Sequence, residues 1–134
     1  MVLVDTSVII NYLKNVEDEY SNAFNLIIAN NVPFGINNYI YQEILQGAKS
    51  EKEFNILKNF FEGVHFYKLK GQSSYEEAAK LNIRCRQNGV TIRSTIDLLI
   101  AQTAIENDVM LLANDSDYVN MKKCIPELNL FEVY

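Results

Sequence analysis

Apolar residues fall along this chain in two alternating patterns, short unbroken runs and longer stretches repeating every three or four residues. The first run, Val2-Leu3-Val4, predicts a buried strand over 1–5 that is stopped by Asp5. Thr6 and Ser7 are then the expected caps of a helix carrying Val8, Ile9, Tyr12 and Leu13 inward. Tyr20, Ala23, Phe24, Ile27 and Ile28 make one stripe of a second helix over 18–30. A strand over 33–36 follows, and Asn37 or Asn38 caps a helix that ends at Gly47. Residues 50–61 predict a helix with Phe54, Leu57, Phe60 and Phe61 inward, and 64–69 a third strand. Tyr75, Ala78, Ala79 and Ile83 mark a helix over 73–88. Ile96, Leu99, Ile100, Thr103 and Ala104 mark another over 94–107. A fourth strand at 109–112, a short helix after Asp117 and a fifth strand at 130–133 complete the pattern.

Strands that are continuously apolar and separated by helices predict an α/β fold: a twisted parallel sheet of about five strands, with helices on both faces. No linker or repeat divides the 134 residues, so one domain is expected over 1–134. In such sheets the functional crevice lies beyond the carboxyl ends of the strands.

Composition narrows the chemistry. His65 is the only imidazole, and Cys85 and Cys124 stand in no paired-ligand spacing, so a structural zinc site and a Ser–His or Cys–His hydrolase are not expected. Both cysteines read as buried thiols. No apolar run approaches the ~18 residues of a membrane span. The opening Met-Val-Leu-Val-Asp has no basic stretch ahead of an apolar one, so a cytoplasmic location is expected. The net charge of −5 hides an asymmetry. Residues 68–93 hold six basic and two acidic side chains, including all three arginines, Arg84, Arg86 and Arg93. That stretch is either a solvated helix face or a phosphate-contacting patch.

Carboxylates supply what histidine and cysteine do not. Asp5 ends the first strand, Glu43 lies in the helix after the second, Asp97 opens the helix before the fourth, and Asp115 and Asp117 follow the fourth. Each has an ordinary local role: Ser94-x-x-Asp97 fits a capping box, and Asp115-Ser116-Asp117 fits a turn leading into a helix. Several acids on one rim, however, raise each other's pKa and destabilise the fold unless a cation compensates. Oxygen ligands favour Mg²⁺ or Mn²⁺.

The segments LVDTSVIINYL around Asp5, INNYIYQEILQG around Glu43, STIDLLIAQTAIEND around Asp97 and LLANDSDY around Asp115 match a known order and spacing. In them the chain resembles the PIN-domain ribonucleases, and among these the small single-domain toxins of the VapC type. The resemblance implies catalytic and metal-binding roles for Asp5, Glu43, Asp97 and Asp115, with Asp117 as substitute for Asp115. It implies supporting roles for Thr6 and Ser7, RNA as substrate, Mg²⁺ or Mn²⁺ as cofactor, a cognate antitoxin and a homodimer. Arg93, four residues before Asp97, is the candidate phosphate contact, with Arg84 and Arg86 extending the track. Three positions depart from the family pattern. Asn37 and Asn38 stand where Ser or Thr is frequent, Ala113 where a hydroxyl residue is common, and Tyr118 where Phe is usual. Ala113 removes a hydrogen bond that would steady Asp115.

Other readings fit less well. A haloacid-dehalogenase-type phosphatase needs a second Asp where Ser7 stands, and a receiver domain needs an Asp where the third strand ends in Lys68-Leu69-Lys70. A catalytically weak or inactive PIN-like module that only binds RNA or a protein partner is the remaining alternative.

Overall fold

Each strand is short and most helices begin on a side chain able to accept a backbone N–H. The computed structural model describes residues 1–133. Strand β1 (Val2–Val4) is fully buried and leads into α1 (Thr6–Leu13). The cap of α1 is Asp5 rather than Thr6 or Ser7, because the Asp5 carboxylate accepts from the Ser7 N–H. The chain then runs through α2 (Glu19–Ala29), β2 (Phe34–Ile36), α3 (Asn38–Gln46) and α4 (Glu51–Phe60). Asp18, Asn37 and Ser50 cap the three helices. Next come β3 (His65–Phe66), α5 (Gln72–Gln87), α6 (Thr95–Glu106), β4 (Met110–Leu112) and α7 (Ser116–Cys124).

The strands form one parallel sheet in the order β3-β2-β1-β4, the α/β/α arrangement expected from the apolar runs. Four strands stand where about five were expected. The 130–133 segment contributes a single bridge, Leu130 to Leu111, because only two backbone bonds flank Leu111 before the chain leaves the sheet. β3 is also shorter than the strand expected at 64–69. It is an edge strand whose pairing ends at the Tyr67 N–H to Ile36 carbonyl bond.

One helix turns a different face inward than its stripe suggests. In α5, Tyr75 and Ile83 are exposed, and Ser74, Ala78, Leu81 and Cys85 are buried. α4 packs against α3 and, with Phe61 just after it, turns Leu57, Phe60 and Phe61 to the core as its stripe predicts; of that stripe Phe54 alone is exposed. The core is formed by β1, β2 and β4 with Ile9, Phe24, Ile40, Ile100 and Met121 against them. Cys85 and Cys124 are buried free thiols, as expected. Among the described residues, no helix is long and apolar enough to cross a membrane.

This strand order decides where a site lies. From β1 the chain winds outward through β2 and β3, then returns to β4 on the other side of β1. The crevice at which winding reverses is therefore beyond the carboxyl ends of β1 and β4, the position where open α/β sheets place their ligands. Asp5 and Asp115 follow those two strands.

Candidate active site

Asp5 is buried at the end of β1, with 6% of its surface exposed. Its Oδ2 accepts from the Ser7 hydroxyl at 2.7 Å and from the Ser7 N–H at 3.2 Å. Ser7 in turn accepts from the backbone N–H of Asn114 at 3.1 Å, tying the β1–α1 corner to the β4–α7 loop. Thr6 donates to Glu43 at 2.9 Å and so draws the α3 carboxylate towards the same corner. The two hydroxyls expected to cap α1 therefore orient the two acids instead.

Asp97 sits in the first turn of α6. Its N–H donates to the Ser94 hydroxyl, one half of a capping box, while its carboxylate is turned to other acids rather than back to the backbone. Asp115 caps α7 by accepting from the Asp117 N–H at 2.9 Å. Asp97, Asp115 and Asp117 each bring one carboxylate oxygen within 4.8 Å of the others, so Asp117 stands beside Asp115 and not in its place. Ala113 offers no hydroxyl here, and Asp115 is steadied by its own helix cap.

Tyr118 closes the arrangement. This side chain is 1% exposed, and its hydroxyl lies 3.3 Å from Asp97 Oδ1 and 3.5 Å from Asp5 Oδ1. In the sequence Tyr118 reads only as an aromatic body in place of Phe. The signal for its second role is one extra oxygen at an aromatic position close to two acids.

The electrostatics follow from this crowding. Burial pushes the Asp97 carboxyl up to about 6, helped by the charges of Asp5 and Asp115 and partly opposed by the Tyr118 hydroxyl. Asp5 is raised chiefly by burial, against the lowering bonds from Ser7, with the Glu43 charge adding to the rise. The Tyr118 hydroxyl is pushed far upward by burial and then by Asp5 and Asp97, so it stays a donor. Among the described residues the ion pairs are Lys80–Glu77 and Arg84–Glu127, and neither reaches these acids. A set of carboxylate oxygens crowded together without a basic side chain fits a hard divalent cation, whose charge would offset theirs.

The basic residues are placed less tightly. Arg84 is held by Glu127 at 2.7 Å, while Arg86 and Arg93 lie towards the surface, Arg93 immediately before the α6 cap.

A family model described as PIN domain matches residues 2–123. Similar solved structures include VapBC2 from Rickettsia felis bound to a DNA fragment from its promoter, with TM-score 0.74, 22% identity and 98% of each chain covered. VapBC-1 from nontypeable Haemophilus influenzae is similar at TM-score 0.72 and 18% identity, with 98% of each chain covered. FitAcB from Neisseria gonorrhoeae is similar at TM-score 0.71 and 18% identity, over 98% of this chain and 97% of that one.

Proposed function

The chain belongs to the PIN-domain family, and on that premise we propose that it is a Mg²⁺- or Mn²⁺-dependent endoribonuclease, the toxin of a toxin–antitoxin pair. The observation that carries this reading is the convergence of Asp97, Asp115 and Asp117, with Asp5 joined to Asp97 through the Tyr118 hydroxyl, at the point where the sheet reverses its winding, with no basic side chain paired to them among the described residues. The similarity to VapBC complexes supports an antitoxin partner.

Asp5 and Asp97 would be the principal ligands, with Asp115, Asp117 and Glu43 completing the shell. A divalent cation held there supplies charge neutralisation at the scissile phosphate and lowers the pKa of water from ~16 towards ~7. The protein's own part is orientation. Ser7 fixes one oxygen of Asp5 and leaves the other facing the site, and Thr6 aims Glu43. Arg93, beside the Ser94 cap, is the phosphate contact in this reading, and Arg86 extends it. Arg84, committed to Glu127, contributes less.

Incubating the purified protein with RNA tests the reading. Cleavage should appear with Mn²⁺ and disappear with excess chelator. Binding without cleavage in both conditions would leave the inactive module in its place.

Cleavage should also depend on pH. Asp97 has to be ionised to hold a cation, so at sub-saturating Mn²⁺ the rate should fall steeply as pH drops below the Asp97 pKa of about 6. A pH–rate profile at fixed Mn²⁺ reads this directly. A flat profile between about pH 4.5 and 7 contradicts the role given to Asp97.

A further inference from the structure

We infer that Tyr118 is a positioning residue for the acidic centre, a clasp whose hydroxyl spans Asp5 and Asp97 and competes with a divalent cation for the same two carboxylate oxygens. The inference rests on the metal-binding reading of these acids. It is carried by geometry. The hydroxyl faces Asp5 Oδ1 at 3.5 Å and Asp97 Oδ1 at 3.3 Å, from a ring that is fully enclosed by the core. Oδ2 of Asp5 is already engaged by both the Ser7 hydroxyl and the Ser7 N–H. Oδ1 is therefore the oxygen of Asp5 that faces inward, and Tyr118 is the donor that meets it.

A hydroxyl has one proton, so it is shared between the two acids rather than satisfying either fully. That single donor still offsets part of the repulsion between two carboxylates that α6 and the end of β1 force together. A bond of this kind is strongest while the acceptor keeps its full negative charge. A cation that takes up the same charge weakens it, and turns the positive end of the O–H dipole towards the ion. Removing the hydroxyl therefore costs the cation-free protein more than the cation-bound one, and by linkage it should favour cation binding.

Tyr118→Phe keeps the aromatic ring and isolates the oxygen. Mn²⁺ binding is measured by the electron paramagnetic resonance signal of the free ion, without RNA, for the parent, Tyr118→Phe and Asp97→Asn. Melting temperatures are taken in chelator and in saturating Mn²⁺. The clasp predicts Mn²⁺ binding about three- to tenfold tighter in Tyr118→Phe. It also predicts a melting temperature lowered by a few degrees in chelator, a gap that narrows when Mn²⁺ is added. Weaker binding would overturn the clasp and make the hydroxyl oxygen a ligand. Unchanged binding, or unchanged melting in chelator, would overturn it in favour of plain ring packing. If the parent binds no more Mn²⁺ than Asp97→Asn does, the metal-binding reading fails and the clasp falls with it. Tight parental binding that Tyr118→Phe leaves unaltered removes the clasp alone.

Discussion

Asp97→Asn should eliminate metal-dependent RNA cleavage while leaving the protein folded and, in chelator, more heat-resistant than the parent. Loss of an outer partner of a metal ligand costs ~10–100-fold, so loss of the ligand's own charge should cost more, on the order of 10³-fold. The stability effect has the opposite sign. The Asp97 pKa is raised from 3.8 to about 6, so the folded state holds its proton more tightly than the unfolded chain does. Stability from this protonation is complete below about pH 4 and is lost as pH rises through about 6. At neutral pH the parent carries an unfavourable charge that Asn lacks. A shift of this size corresponds to ~3 kcal/mol if fully buried. Asp97 is only half-buried, and solvent screening brings the expected gain nearer ~1 kcal/mol, a few degrees of melting temperature. Below about pH 4 the two proteins should melt together. Asp5→Asn should lose cleavage similarly, and Asn still caps α1 well. Melting curves across pH and initial rates with Mn²⁺ check both halves. If both variants cut RNA as the parent does, the assignment of Asp5 and Asp97 is wrong.

Gly35→Val should strip the fold of much of its stability. Gly35 lies in the middle of β2, where it pairs with His65 of β3. A Cβ at this position would stand 2.5 Å from the His65 carbonyl oxygen and 2.8 Å from Cε2 of Tyr67. The oxygen belongs to the backbone of β3 and cannot swing aside as a side-chain tip could. β3 would have to move away, taking the Tyr67 ring with it. Overpacking of this kind costs ~1–3 kcal/mol, and the backbone clash places Gly35→Val at or above the upper end. For a domain whose total stability is ~5–15 kcal/mol, that is a large share. Gly71→Ala is the control. Its backbone is extended, a Cβ there meets no atom within 4 Å, and its denaturation midpoint should match the parent's. Urea titrations of the three proteins decide the matter, and a Gly35→Val midpoint equal to the parent's would show that β3 yields freely.

The helix starts at Asp18, Asn37, Ser50 and Ser94 could be read directly because a cap is a local event, an accepting side chain within three residues of the N–H it receives. The acids at the ends of β1 and β4 were legible for a related reason: a short apolar run is a buried strand, and the polar residues after it must surface at the sheet's edge. Which stripe of α5 faces inward was not legible. Tyr75 with Ile83 and Leu81 with Cys85 are both apolar at helical spacing, and packing against α6 and α7 selects the second set.

The primary sequence alone therefore determined the element order, the parallel sheet and the acids on its carboxyl edge, since chain continuity and burial act over a few neighbouring residues. Tertiary structure alone decided which groups meet there: Thr6 with Glu43, Ser7 with Asn114, and the Tyr118 hydroxyl with Asp5 and Asp97. Those bonds join positions between 21 and 113 residues apart. A hydrogen bond depends on two atoms meeting in space, a relation that no periodicity along the chain encodes.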